Sequence, residues 1–225
     1  MSKSNQVSNQ QQKRITGKDH PRIVLASGSP RRLELLTNLG LEFEVIPSRV
    51  EESVLPGISP EELVRSLARE KAHDVLKTLS KEQNTVVIGA DTMVVLDGEL
   101  IGKPTDDDDA RQMLRRLSER THTVFTGVIV LKQHKNDDLK EIEHVESSLV
   151  TFRKLDEKEI TAYIATREPM DKAGAYALQG VGAALVARVE GCYTNIIGLP
   201  VPTIVSMLRQ AGVNILGLPD CQDSI

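Results

Sequence analysis

A mixed α/β fold is predicted by three observations on this chain. Strand-like and helix-like segments alternate from about residue 22 onward, two strand pairs are joined as hairpins, and no internal repeat breaks the alternation. Alternation calls for helices packed on a sheet, and the hairpins make that sheet mixed, not purely parallel. At 225 residues, 40% of them hydrophobic, the chain can bury a sizeable core in one domain, with or without two lobes.

Residues 1–20 are rich in Ser, Gln and Asn and lack an apolar stretch, which predicts a disordered cytosolic extension with no secretory or membrane segment. The domain proper is expected over 21–218, with a short tail at 219–225. Ile23-Val24-Leu25 is the first strand, followed by the small-residue turn Ala26-Ser27-Gly28-Ser29-Pro30-Arg31-Arg32. Leu33, Leu36 and Leu39 then mark a helix closed by Gly40, with Ser29 suited to its N-cap and Pro30 to its first turn. Arg31 and Arg32 sit at the positive end of that helix, where each is disfavoured by roughly 0.3–1 kcal/mol. A bound phosphate would reverse the penalty. Two solvated arginines, or a Ser-Pro modification site, fit the same residues.

Phe43, Val45 and Ile46 form a short strand ending at Pro47, after which Glu51 and Glu52 follow. Ser59-Pro60-Glu61-Glu62 is a capping box opening a helix of about 20 residues, whose apolar face runs from Leu63 to Leu79 with Lys71 near its border. Thr85 to Gly89 predicts a central strand, Ala90-Asp91-Thr92 a break, and Met93 to Leu96 a second run. Asp97-Gly98 is a tight hairpin signal that returns Lys103 towards Asp91. Asp106, Asp107 and Asp108 open the next helix, and the acidic run is read as compensating the helix dipole in preference to binding metal. His122 to Leu131 and Ile142 to Phe152 form the second hairpin, and Asp156 to Glu159 caps a helix carrying Ile160, Tyr163 and Ile164. Met170 to Gly182 is a glycine-punctuated loop, Ala183 to Val189 a strand, and Tyr193 to Pro200 a turn into a last helix with Ile204 and Leu208 buried.

Composition narrows the function. A net charge of −4, 3% aromatic residues and no Trp argue against a nucleic-acid or anionic-membrane binder. Cys192 and Cys221 have no metal-finger spacing and are expected as free thiols. Ser29, Arg31, Arg32, Glu51, Glu52, Lys71, Asp91, Lys103, Asp171, Lys172 and Gln179 all fall near predicted strand ends, helix starts or loops. Cations of this kind suit a polyphosphate, and Glu52 and Asp91 suit a hard divalent cation and an oriented water. The bland alternatives are a turn aspartate at 91, solvated glutamates at 51 and 52, and a surface lysine at 71.

Ala26 to Arg32, Glu51-Glu52, Arg69-Glu70-Lys71-Ala72, Gly89-Ala90-Asp91-Thr92, Gly102-Lys103-Pro104, Thr126-Gly127-Val128 and Asp171 to Tyr176 with Gln179-Gly180 together resemble the Maf-type nucleoside triphosphate pyrophosphatases. The resemblance runs from about Ile23 to the last helix. It implies an elongated central sheet, two lobes around a cleft, and a fold similar to that of inosine triphosphate pyrophosphatases. The implied reaction is hydrolysis of a nucleoside triphosphate to the monophosphate and pyrophosphate with Mg²⁺ or Mn²⁺. Under this resemblance Asp91 is the proton acceptor and, with Glu52, a metal-organising carboxylate. Ser29, Arg31, Lys71, Lys103 and Lys172 face phosphate, while Arg32, Thr92 and Gln179 select the base. Arg31 and Thr92 are similar to the branch acting on dTTP and UTP, not to that acting on 7-methyl-GTP. Family members also suggest a homodimer, and the alternative role the resemblance implies is a nucleotide-binding regulator of septum formation. Ala177 and Leu178 depart from the family pattern and bear on the order of preference among pyrimidine nucleotides.

Overall fold

The computed structural model describes residues 21–51, 57–81, 83–135 and 138–215. The expected tails at 1–20 and 219–225, Glu52 and Cys221 lie outside these residues. Among the described residues seven strands form one sheet in the order β2-β1-β3-β5-β6-β7, with β4 beside β3. They are β1 (Arg22–Leu25), β2 (Glu44–Val45), β3 (Thr85–Leu96), β4 (Glu99–Ile101), β5 (Thr121–Gln133), β6 (Leu139–Phe152) and β7 (Val186–Glu190). The helices are α1 (Pro30–Asn38), α2 (Pro60–Leu76), α3 (Asp107–Leu117), α4 (Glu157–Ala165), α5 (Tyr193–Ile197) and α6 (Val201–Gln210). β1 runs parallel to β2 and β3, and the remaining pairings are antiparallel, so the sheet is mixed as expected.

One gap in the pairing creates the cleft. β5 pairs with β3 along Thr85 to Val95, whereas on the other edge β1 covers only Thr85 to Ile88 and β4 only Val94 to Leu96. Gly89 to Met93 therefore face a notch on that edge. The apolar residues divide around it. Leu25, Leu36, Ile88, Ile204 and Leu208 pack on one face beside the β1 end, with Val24, Ala68, Ala72, Val87 and Ile129 beneath α2 on the other. Leu96, Leu114, Val124, Phe152, Ile160 and Tyr163 form a separate core beyond the notch. Two lobes share one continuous sheet.

Helix α2 lies unusually near that sheet because the strands beneath it carry glycine. A Cβ at Gly89 would fall 2.4 Å from the Ala68 carbonyl oxygen, and one at Gly127 would fall 2.3 Å from that of Val64. Gly127 is the register partner of Asp91 on β3. Close approach here is what strand-interior glycine allows.

The helix caps follow the sequence in part. Ser59 accepts from the Glu62 N–H, Asp106 from that of Asp109, and Asp156 completes a capping box with Glu159. Ser29 occupies the N-cap position of α1 but its side chain makes no capping bond. The Asp97-Gly98 turn has φ of 53° and 83°, the primed geometry that suits a hairpin.

Four expectations are corrected. The break at Ala90-Asp91-Thr92 is absent, since those residues pair with Val128, Gly127 and Thr126 inside an unbroken β3. The strand around Phe43 shrinks to the two exposed residues of β2, and the helix expected to run about 20 residues is the 17-residue α2. The strand expected from Ala183 begins only at Val186, because Gly180–Leu185 winds into 3₁₀ turns. Among the described residues no helix is long and apolar enough to cross a membrane.

His122 is buried at the far core, edge-on to Phe152 and Tyr176, with Nε2 2.8 Å from the Tyr176 hydroxyl. Burial pushes its pKa down from 6.5 to about 4. The unfolded chain therefore takes up this proton first as pH falls, and stability is lost between pH 6.5 and 4. His122→Asn is expected to remove about 2–3 kcal/mol of that acid destabilisation. Urea midpoints at pH 7 and 4.5 for both proteins check it; parallel losses would assign the acid sensitivity to other groups.

Candidate active site

The notch opens on a cavity of about 420 Å³ lined from both lobes. Ser29, Arg31, Arg32, Lys71, Asp91, Thr92, Lys103, Lys172 and Gln179 all line it, as does Asp171. The seventy-odd residues that separate the first motif from Lys103 are thus closed up by the β1–β3 pairing and the β3–β4 hairpin.

Asp91 and Thr92 are neighbours on β3 and project to opposite sheet faces, yet both reach the cavity because the notch exposes the strand edge between them. Asp91 is 4% exposed and its Oδ1 accepts from Lys71 Nζ at 2.6 Å. Lys71 is itself buried, carried there by α2 lying on Gly89 and Gly127. A buried pair of this kind is held less for net stability than for keeping both charges in place, since removing either partner strands the other.

The opening turn splits its two arginines. Arg31 is half-buried and its Nη1 donates to Asp171 Oδ2 at 3.2 Å. Lys172 Nζ donates to the other Asp171 oxygen at 2.5 Å. Burial works against the Asp171 carboxylate, but the Lys172 and Arg31 charges outweigh it and hold its pKa below the usual range. Arg32, by contrast, turns into the protein. Its Nε donates to the Gly198 carbonyl at 2.8 Å, Nη1 to Ser27 Oγ and the Ala90 carbonyl, and Nη2 to Thr92 Oγ1 at 3.0 Å. Thr92 and Thr126 hydroxyls stand 3.0 Å apart, and Thr126 Oγ1 donates to the Asn195 carbonyl. The solvated reading of Arg32 is therefore overturned: two carbonyl and two hydroxyl groups from β3, the end of α5 and the turn compensate the dipole penalty that its position imposes.

Lys103 is exposed at the cavity rim, just past β4, and Gln179 is partly buried in the loop opposite. Glu52 lies outside the described residues, and Asp91 is the other of the two expected metal carboxylates. The acidic run at 106–109 is spent on caps and surface pairs: Asp106 on the α3 N-terminus, Asp109 on Thr105, Asp107 on Arg167. Among the described residues no group of three His, Cys, Asp or Glu could hold a metal ion. Cys192 is a free thiol.

Sequence reasoning missed one wall. Val94, Val124, Tyr176, Leu178, Ile196 and Ile197 give the cavity an apolar side. The strand pattern marks Val94 in β3 and Val124 in β5 as buried but carries no signal that they face a notch. The cavity thus has one end of cations around a buried carboxylate and one end of apolar surface beside Thr92 and Gln179. A phosphate chain suits the first and a flat heterocycle the second.

The chain is similar to known proteins over most of its length. A protein from Pelotomaculum thermopropionicum described as dTTP/UTP pyrophosphatase is 47% identical over 86% of this chain and 98% of its own. Relatives with the same description from Anaeromyxobacter dehalogenans and Caldicellulosiruptor bescii are 48% and 43% identical, over 85% and 87% of this chain and 95% and 97% of theirs. Among solved structures, a HAM1 protein from Coxiella burnetii aligns over 85% of this chain and 100% of its own at 16% identity and a TM-score of 0.45, too remote to bear on the chemistry. The family model described as Maf-like protein matches residues 22–211, which span every strand of the sheet and every cavity residue named above, and the chain belongs to that family.

Proposed function

We propose that this chain hydrolyses a pyrimidine nucleoside triphosphate, dTTP or UTP, to the monophosphate and pyrophosphate. The observation that carries the proposal is the buried Asp91 carboxylate held by Lys71 at 2.6 Å within a cavity that Arg31, Lys103 and Lys172 also line. The names of its relatives supply the nucleotide class.

In this reading the triphosphate lies along Ser29, Arg31, Lys71, Lys103 and Lys172, and the base meets Thr92 and Gln179 on the apolar side. Asp91 accepts the proton of a water whose oxygen bonds to the α-phosphorus as the bridging oxygen leaves with pyrophosphate. Lys71 holds the Asp91 carboxylate in place, and its ammonium is within reach of a phosphate laid over the pair. Arg32 holds Thr92 and the Gly198 backbone in register, so its part in base selection is through Thr92. The Asp91 carboxylate, an oxygen donor opening on an anion site, fits Mg²⁺ or Mn²⁺ held by one or two carboxylates, with phosphate oxygens and water completing the shell. Asp91, together with Glu52, would hold that cation, which supplies charge neutralisation at the phosphates.

Release of pyrophosphate from dTTP and UTP with Mg²⁺ or Mn²⁺ is the test. Release that stops on chelation with EDTA and returns on adding the cation is expected. No release from any triphosphate would leave the family's nucleotide-binding, non-catalytic alternative.

A further inference from the structure

The segment carrying Gln179 is clasped at both ends by two side chains that the hydrolytic step does not use. Before Gln179, the Ala177 N–H donates to the Tyr163 hydroxyl at 3.1 Å. After it, the Val181 and Gly182 N–H groups donate to the two oxygens of the Glu168 carboxylate at 3.0 and 2.9 Å. The phenol then donates to Glu168 Oε1 at 2.9 Å and closes the circuit. Tyr163 is 2% exposed at the end of α4, so the clasp is anchored in the far core.

The glycines of the loop are fitted to this carboxylate. Gly180 has φ of +81°, and a Cβ there would sit 2.5 Å from Glu168 Oε2. A Cβ at Gly182 would sit 2.5 Å from the Tyr163 hydroxyl and 2.4 Å from the Ala177 carbonyl oxygen. The backbone of Glu168 reaches the other end of the cavity as well, because its carbonyl accepts from Lys172 Nζ at 2.7 Å. One residue thus ties the Gln179 loop to a cation on the phosphate side.

We propose that Glu168, acting with Tyr163, is a positioning residue for base selection. It fixes where Gln179 stands relative to Thr92 while touching no substrate itself. The inference rests on the proposed function, in which Gln179 faces the base. A carboxylate suits the task because three donors converge on it; an amide must turn its own N–H group against one of them.

The test uses the full chain with Glu168→Gln and Tyr163→Phe, measuring kcat and KM for dTTP, UTP and GTP, and hydrogen exchange at the amides of residues 177–182. The ratio of kcat/KM for dTTP to that for GTP is expected to fall roughly tenfold in Glu168→Gln, through KM more than kcat. Tyr163→Phe is expected to shift it the same way by less, with faster exchange at 177–182 and unchanged exchange in α2 in both variants. An unchanged ratio in both variants, or a loss of kcat equal for every nucleotide, overturns the proposal. Where Glu168→Gln fails to fold, Tyr163→Phe alone decides it. Absence of hydrolysis in the unsubstituted chain would instead defeat the proposed function, and the exchange measurement would still show whether the clasp holds the loop.

Discussion

Asp91→Asn is expected to lower kcat/KM for dTTP by about 10²–10⁴-fold, the range a positioned general base contributes. An amide oxygen accepts a hydrogen bond from the attacking water but cannot take its proton. The cations at Arg31, Lys103 and Lys172 remain, so the loss is expected in kcat with KM little changed. Stability also moves, because Lys71 Nζ loses its 2.6 Å bond to the Asp91 carboxylate. A buried group left this way costs on the order of 1–3 kcal/mol. Adding Lys71→Met to Asp91→Asn replaces the other half of the buried pair with an apolar side chain, so the double variant should recover thermal stability without recovering activity. That pattern separates chemistry from folding. Retention of more than about a tenth of the activity in Asp91→Asn would move the proton acceptor elsewhere.

How far the sequence discloses this site depends on which residues are held locally and which by distant chain. The mixed sheet, both hairpins, the Asp156 capping box and the apolar face of α2 are legible because each rests on periodicity or turn chemistry within about 20 residues. Lys71 at the border of that face was legible as a candidate for the same reason. The strand through Asp91 was not: Ala90-Asp91-Thr92 interrupts an apolar run and resembles a turn, and only pairing with Val128, Gly127 and Thr126 keeps it extended. Arg32 was legible as misplaced at a helix N-terminus, but its resolution is a carbonyl at Gly198, 166 residues away. The Glu168 clasp joins residues only 5 to 14 apart, yet its bonds follow no periodicity and its signal in sequence is only a glutamate before a proline. It also explains the late start of β7, since the amides of Val181 and Gly182 are taken by Glu168 and the chain winds into 3₁₀ turns before it can join β6. The notch itself is a property of pairing lengths. Its cause is that β1 stops at Leu25, opposite Ile88, and β4 ends at Ile101, opposite Val94.

Gly127→Ala is expected to destabilise the fold by about 3 kcal/mol or more, although by propensity alone alanine in a strand is favoured over glycine by roughly 0.5–1 kcal/mol. The reversal comes from helix α2. An added Cβ would stand 2.3 Å from the Val64 carbonyl oxygen, 2.5 Å from its carbon and 2.8 Å from the Arg65 nitrogen. All three are backbone atoms of one helical turn, so no rotamer change relieves the clash and the helix must lift from the sheet. Lifting it withdraws Lys71, about two turns further along α2, from Asp91, the register partner of Gly127. The variant is therefore expected to lose both urea midpoint and kcat/KM, with the surviving folded fraction less active per molecule. Gly102→Ala is the control for stability: nothing lies within 4 Å of its added Cβ and its φ is ordinary, so the midpoint should move by about 0.5 kcal/mol or less. Equal midpoints for the two variants would mean that α2 does not rest on Gly127. A destabilised Gly127→Ala protein with full activity per folded molecule would show that Lys71 reaches Asp91 without that contact.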